Sequence, residues 1–118
     1  MAKTEKHLFH IFERAKWGEA QAKGEYIAES LAKEGFIHLS TNQQLKGTAE
    51  RYYQGKSGLA VLKIDIAKLK APLKYENTSG GTELFPHLYG PLNVDAVTNV
   101  VFLGLQKDGA FLWPDELF

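Results

Sequence analysis

The chain of 118 residues contains no cysteine. That excludes structural disulfides, thiol nucleophiles, iron–sulfur clusters and cysteine-based zinc sites, and it is consistent with a reducing compartment. No apolar run approaches the roughly 20 residues that a membrane-spanning helix needs. Met1-Ala-Lys-Thr-Glu-Lys-His7 leads into no hydrophobic stretch of the signal-peptide kind, so a cytoplasmic location is the expectation. Neither sign of charge is in excess, because 14 Lys and Arg oppose 14 Asp and Glu. A broadly basic nucleic-acid surface is therefore disfavoured, and RNA gains no support from charge. There is no Gly-rich phosphate loop and no H-x-x-x-H or H-E-x-x-H spacing, so no metal site is expected.

What is present is enough apolar material for a core. At 44% hydrophobic residues, a single domain over residues 1–118 needs no disulfide or metal staple. Residues 1–7 read as a flexible tail. Leu8–Glu13 reads as a first strand, and Arg14–Ala22 as a short helix ended by Gly24. Tyr26–Lys33 is a helical or irregular piece that pairs Ile27 with Leu31, with Gly35 suited to a C-terminal cap. Phe36–Leu39 is a short strand that runs into a helix over Asn42–Tyr53. The inner face of that helix is Leu45, Ala49, Tyr52 and Tyr53. Thr41 followed by Gln44 has the pattern of a capping box.

The later half reads as strands. They are Leu59–Ile66, Leu73–Glu76, Glu83–Leu88 and a nearly continuous apolar run, Val97–Leu105, expected at the centre of a sheet. Asn77–Thr82 reads as a flexible loop, Asn93–Ala96 as a turn or short helix, and Lys107-Asp-Gly109 as a hairpin turn into Ala110–Trp113. Early helices and late strands predict an α+β fold with a largely antiparallel sheet.

Three segments place a histidine among apolar and aromatic neighbours: Leu8–Phe12, Gly35–Thr41 and Glu83–Gly90. An unpaired buried imidazole costs about 1–3 kcal/mol, so each needs a partner or a ligand. His10 lies mid-strand, either facing a cleft or held in the core by a backbone carbonyl. His38 shares a period of two with Phe36 and Ser40, which turns all three to one sheet face beside the helix that Thr41 starts. That helix start favours an anion. Glu83, Phe85, His87 and Tyr89 share a face if the stretch is extended, although Pro86 argues for an edge or an irregular path. His38-Leu39-Ser40 also resembles the H-x-S/T motif of 2H phosphoesterases, but His87-Leu88-Tyr89 lacks the Ser or Thr that a second motif needs.

Several strings together resemble one bacterial family. They are Phe9-His10-Ile11, Trp17 with Ala20 and Gly24, Glu34-Gly-Phe-Ile-His-Leu-Ser40, and Phe85-Pro-His-Leu-Tyr-Gly-Pro91. The family is known as domain of unknown function 952, and the resemblance runs from about Leu8 to Gly104. That family is in turn similar to the ADP-ribosyltransferase superfamily, above all its RNA 2′-phosphotransferase branch. The resemblance implies a split, mainly antiparallel sheet around a cleft for NAD. It implies that His10 and His38 occupy the first two motif positions and Glu83 the third, with His87 as the alternative. His10 would then contact a ribose hydroxyl, and His38, Ser40 and Thr41 would hold the nicotinamide ribose or a phosphate. Glu83 would stabilise developing charge and Tyr89 would stack on a ring. The basic residues with which the RNA enzymes hold phosphate have no counterparts, since Arg14 and Arg51 are the only arginines.

Function therefore reads as a nucleotide- or NAD-processing transferase with His38 and Glu83 as its catalytic pair. A non-catalytic module for a nucleotide or peptide is the alternative, and a metal-dependent hydrolase a third reading.

Overall fold

The computed structural model describes residues 6–78 and 80–117. Residues 1–5 of the expected tail, and Ser79 of the expected loop, lie outside the described residues. Lys6 and His7 belong to the sheet: the Lys6 carbonyl accepts from Ile66 N, and His7 pairs with Asp65.

The elements follow in chain order as β1 (His7–Glu13), α1 (Trp17–Lys23), β2 (Glu25–Tyr26), α2 (Glu29–Glu34), β3 (Ile37–His38) and α3 (Leu45–Tyr52). Then come β4 (Leu59–Asp65), β5 (Leu73–Glu76), β6 (Phe85–Leu88), β7 (Leu92–Asn93), β8 (Val97–Leu105) and β9 (Phe111–Leu112). The fold is α+β, and every strand pairing among the described residues is antiparallel. One sheet has the order β1-β4-β8-β9, a second β3-β6-β5, and a two-stranded ribbon joins β2 to β7.

The burial of β1 explains its uniformly apolar sequence. Leu8, His10 and Phe12 point one way, and Phe9 and Ile11 the other. The first set enters a core shared with Ala60, Leu62, Ile64, Ile37, Leu88 and Leu92, between the four-stranded sheet and the smaller elements. The second set enters a core with Val61, Val101 and Leu103, closed by Leu45 and Ala49 of α3 and by Phe111 and Leu117. The four-stranded sheet is thus covered on both faces along β1 and β4.

The segment after β3 stitches the sheets together. Ile37 pairs with Leu88 of β6, and Leu39 N donates to the Pro86 carbonyl at 3.0 Å. One residue later Ser40 exchanges two backbone bonds of 2.8 Å with Phe9 of β1. This extended chain leaves one sheet and joins the other.

Several expectations are corrected. Arg14–Lys16 is a 3-10 turn before α1, and Tyr26 belongs to a strand before α2. Gly35 does cap α2, with a left-handed φ of 90° that a side chain would strain. Leu45 and Ala49 of α3 are fully buried and Tyr53 packs beside them, but Tyr52 is exposed. The capping box forms: Thr41 N donates to Gln44 Oε1 at 3.1 Å, and Gln44 N to Thr41 Oγ1 at 3.3 Å. The helix is shorter than expected, because Asn42–Gln44 forms a turn. β8 is not central along its length, since β9 pairs only with Gly104 and Leu105.

Candidate site on the outer face of the three-stranded sheet

The register of β3, β6 and β5 sorts their side chains. Residues directly opposite on antiparallel strands share a face. Ile37, Leu88 and Leu73 stand in line and face the core. His38, His87 and Lys74 are the next line, so they face outward. The two-residue period adds Phe36, Tyr89 and Glu76 to that outer face.

These side chains touch one another. The His38 and His87 rings lie 5.3 Å apart and nearly perpendicular. Phe36 stacks on His87 at 4.0 Å, which leaves His87 only 2% exposed although it lies on the outer face. Beneath that ring, His87 Nδ1 lies 3.0 Å from Glu76 Oε1. The Tyr89 hydroxyl donates to the same carboxylate oxygen. The Lys74 ammonium sits 4.9 Å over the Tyr89 ring. On the open side, His38 Nε2 lies 2.9 Å from Glu34 Oε2, and the His38 side chain is 51% exposed.

The site therefore holds two imidazole–carboxylate pairs on neighbouring strands. A carboxylate accepts from an imidazole N–H, so in the neutral ring Glu34 places the His38 proton on Nε2 and leaves the lone pair on Nδ1. Glu76 likewise sets His87 with its proton on Nδ1. Bonds from Tyr89 and His87 hold the Glu76 carboxyl below its usual range, and Glu76 in return raises the Tyr89 phenol.

His10 lies on the inner side. Its Nδ1 donates to the His38 backbone carbonyl at 2.7 Å, and its ring packs on Tyr26 and Phe12. The other nitrogen, Nε2, is buried with no hydrogen-bond partner. Burial lowers the His10 pKa to about 4, so the ring is neutral.

The remaining expected residues are placed elsewhere. Ser40 turns its hydroxyl to Thr48 of α3 at 3.2 Å, and Thr41 closes the capping box. Glu83 accepts from Gln44 Nε2 at 3.3 Å in the loop before β6. Thus His38, His87 and Tyr89 come together, His10 reaches them only through a backbone carbonyl, and Glu83 has its contacts with Gln44 and Asn77.

Sequence reasoning missed Glu76, Glu34 and Lys74. Glu34 had a usable signal, four residues before His38 within one quoted string. Glu76 had none locally, because its partner lies 11 residues on, across a strand pairing.

Among the described residues, no group of three or more His, Cys, Asp or Glu side chains is placed to hold a metal ion. No described helix is long and apolar enough to cross a membrane.

Comparison with known proteins adds lineage. No curated protein matches the chain. Among solved structures, the crystal structure of protein CC0527 from Caulobacter crescentus superposes with a TM-score of 0.81 at 37% identity, covering 94% of this chain and 97% of that one. The solution NMR structure of the same protein gives a TM-score of 0.75 at 38% identity, covering 87% and 89%. The profile of a family described as a protein of unknown function, DUF952, matches residues 11–100. The chain belongs to that family.

Proposed function

We propose that the outer face of β3, β6 and β5 binds a small nucleotide-type or other phosphorylated ligand, and that His38 exchanges a proton with it. The observation that carries this reading is the direct opposition of His38 and His87, each with its own carboxylate. An exposed imidazole with a lone pair on Nδ1 can remove a proton from a ligand hydroxyl or from water. Glu34 then stabilises the imidazolium that forms. Lys74 is exposed beside Tyr89 and supplies positive charge toward a phosphate. Glu76 fixes both His87 and Tyr89, so the floor of the face is ordered before any ligand arrives.

The resemblance implies NAD, and the residues do not fit it as that resemblance would place them. His10 gives its N–H to a carbonyl and is 8% exposed, Ser40 is bonded to Thr48, and Glu83 to Gln44. A cavity of about 230 Å³ is lined by Arg14, Ser57, Phe102 and Leu105, among others, and by none of the three.

One observation favours a binding module over an enzyme. His87 is buried under Phe36, so only one imidazole of the pair meets solvent. Acid–base chemistry with both rings would require Phe36 to move aside.

Histidine ring NMR signals, followed during titration with AMP, ADP and inorganic phosphate, test the reading. His38 signals should move, and the response should vanish in His38→Ala. No change with any of these at millimolar concentration would overturn the proposal. Phosphorus NMR of nucleotide 2′-phosphates and 2′,3′-cyclic phosphates then separates turnover from binding.

A further inference from the structure

β8 carries a property that its pairing leaves unanswered. Val97-Thr-Asn-Val-Val-Phe-Leu-Gly-Leu105 has no charge and no proline. Such a strand reads as an interior one, with neighbours on both sides. On one side β4 pairs with it from Leu103 to Val97. On the other, β9 pairs only with Gly104 and Leu105.

The direction of the free groups follows from alternation. Gln106 N donates to the Ala110 carbonyl at 2.8 Å, on the β9 side. Backbone groups alternate sides along an antiparallel strand, so Gly104, Phe102 and Val100 also turn to that side. Gly104 meets Leu112 there. Val100 and Phe102 meet no backbone partner among the described residues. Trp113-Pro114 ends β9 before it can cover them, because Pro114 has no N–H to donate.

The rim of this edge is apolar. Phe102 is 59% exposed and Leu112 is 51% exposed, on the same face. Leu112 lies over Gly104, where an added Cβ would stand 3.5 Å from its Cδ1. Arg14 covers one side of the Phe102 ring, with its guanidinium carbon 4.2 Å from the ring centroid.

We infer that the free edge of β8 docks a second copy of this chain, β8 against β8, around a two-fold axis near Val101. The pairing with β4 shifts register at Thr98, so the regular free segment is Asn99–Leu103, and Val101 is its middle residue. An antiparallel pairing about that point is self-complementary, and it places no like charges opposite each other because the segment has none. It gives Val100 and Phe102 the backbone partners they lack. Phe102 then stands opposite Val100 of the other copy, and each supplies the other's backbone partner. The joined sheets make β8 the interior strand that its sequence describes.

Sedimentation equilibrium from about 10 µM to about 1 mM, the range in which a small strand-edge contact associates, is the test. The wild-type chain should dimerise. Val100→Pro removes the edge-facing N–H, and Phe102→Lys puts a charge on the exposed rim. Each should weaken the dimer by roughly tenfold or more while circular dichroism stays that of the folded monomer. A monomer at every concentration overturns the inference and leaves the edge to a strand of another protein. A dimer that both folded variants leave unchanged also overturns it, because the contact then lies elsewhere.

Discussion

His10 holds His38 by the backbone: its Nδ1–H donates to the His38 carbonyl at 2.7 Å, from a strand of one sheet to a strand of the other. The bond settles the tautomer of His10. Nε2 carries the lone pair, and it is buried without a partner at a cost of about 1–3 kcal/mol.

Long-range nitrogen–proton NMR should therefore show His10 as a neutral ring protonated on Nδ1 at pH 7. It should stay so until the pH nears 4. A ring protonated on Nε2, or one that titrates at the ordinary 6.5, would mean that the bond from His10 Nδ1 to the His38 carbonyl is not made in solution.

Acid stability follows with a definite sign. The folded pKa of His10 lies below its unfolded value, so the unfolded chain takes up the proton first. Stability is full above pH 6.5 and falls as the pH drops from there to about 4. The shift corresponds to roughly 3 kcal/mol. Glu76 acts in the same direction, losing its contribution as the pH falls through its lowered value. Urea unfolding at pH 7 and pH 5 measures the slope. His10→Asn keeps an N–H donor without titrating, and its slope should be visibly flatter. Equal slopes would remove His10 from the account.

Glu76 and Tyr89 make a coupled pair on the outer face. The carboxylate raises the phenol, so Glu76→Gln should return Tyr89 toward the ordinary tyrosine value of about 10. Ultraviolet titration of the wild type and the variant reads this directly, with Tyr89→Phe assigning the signal. No change in the Tyr89 titration would mean that the hydroxyl does not bond to Glu76 in solution.

Gly90 follows Tyr89 where β6 leaves the site. An added Cβ there would stand 2.8 Å from Ala71 Cβ, a contact that neither small group can relieve by rotation. Gly90→Ala should destabilise by about 1–3 kcal/mol. Combining it with Ala71→Gly should recover only part of that loss, because Gly90 has a φ of 156°, which an L side chain rarely adopts. Chemical denaturation of the three variants forms the comparison, and a single Gly90→Ala as stable as wild type would refute the contact.

Much of the fold was legible in the residues. β1, β4, β5 and β8 lie within one residue of where alternation and apolar runs put them, because a strand's period of two is written locally. Gly35 and the Thr41–Gln44 box were readable for the same reason, since caps depend on a few neighbouring residues. Tyr52 shares the helical face of Leu45 and Ala49 by its spacing, yet it is exposed, because spacing fixes a side chain's direction and not what packs against it.

The outer-face site was half legible. Phe36, His38, His87 and Tyr89 lie on elements whose period orients them, and alternation alone predicts which of them share a face. Sequence by itself determined those orientations, the neutral charge balance and the absence of thiol chemistry. Tertiary structure decided the partners. Only the pairing of β5 with β6 brings Glu76 under His87, and only the junction at Ser40 and Phe9 brings the His38 carbonyl to the inward-facing His10. The physical reason is range: periodicity is a property of adjacent peptide units, whereas a hydrogen bond between sheets depends on register set by residues far apart in the chain.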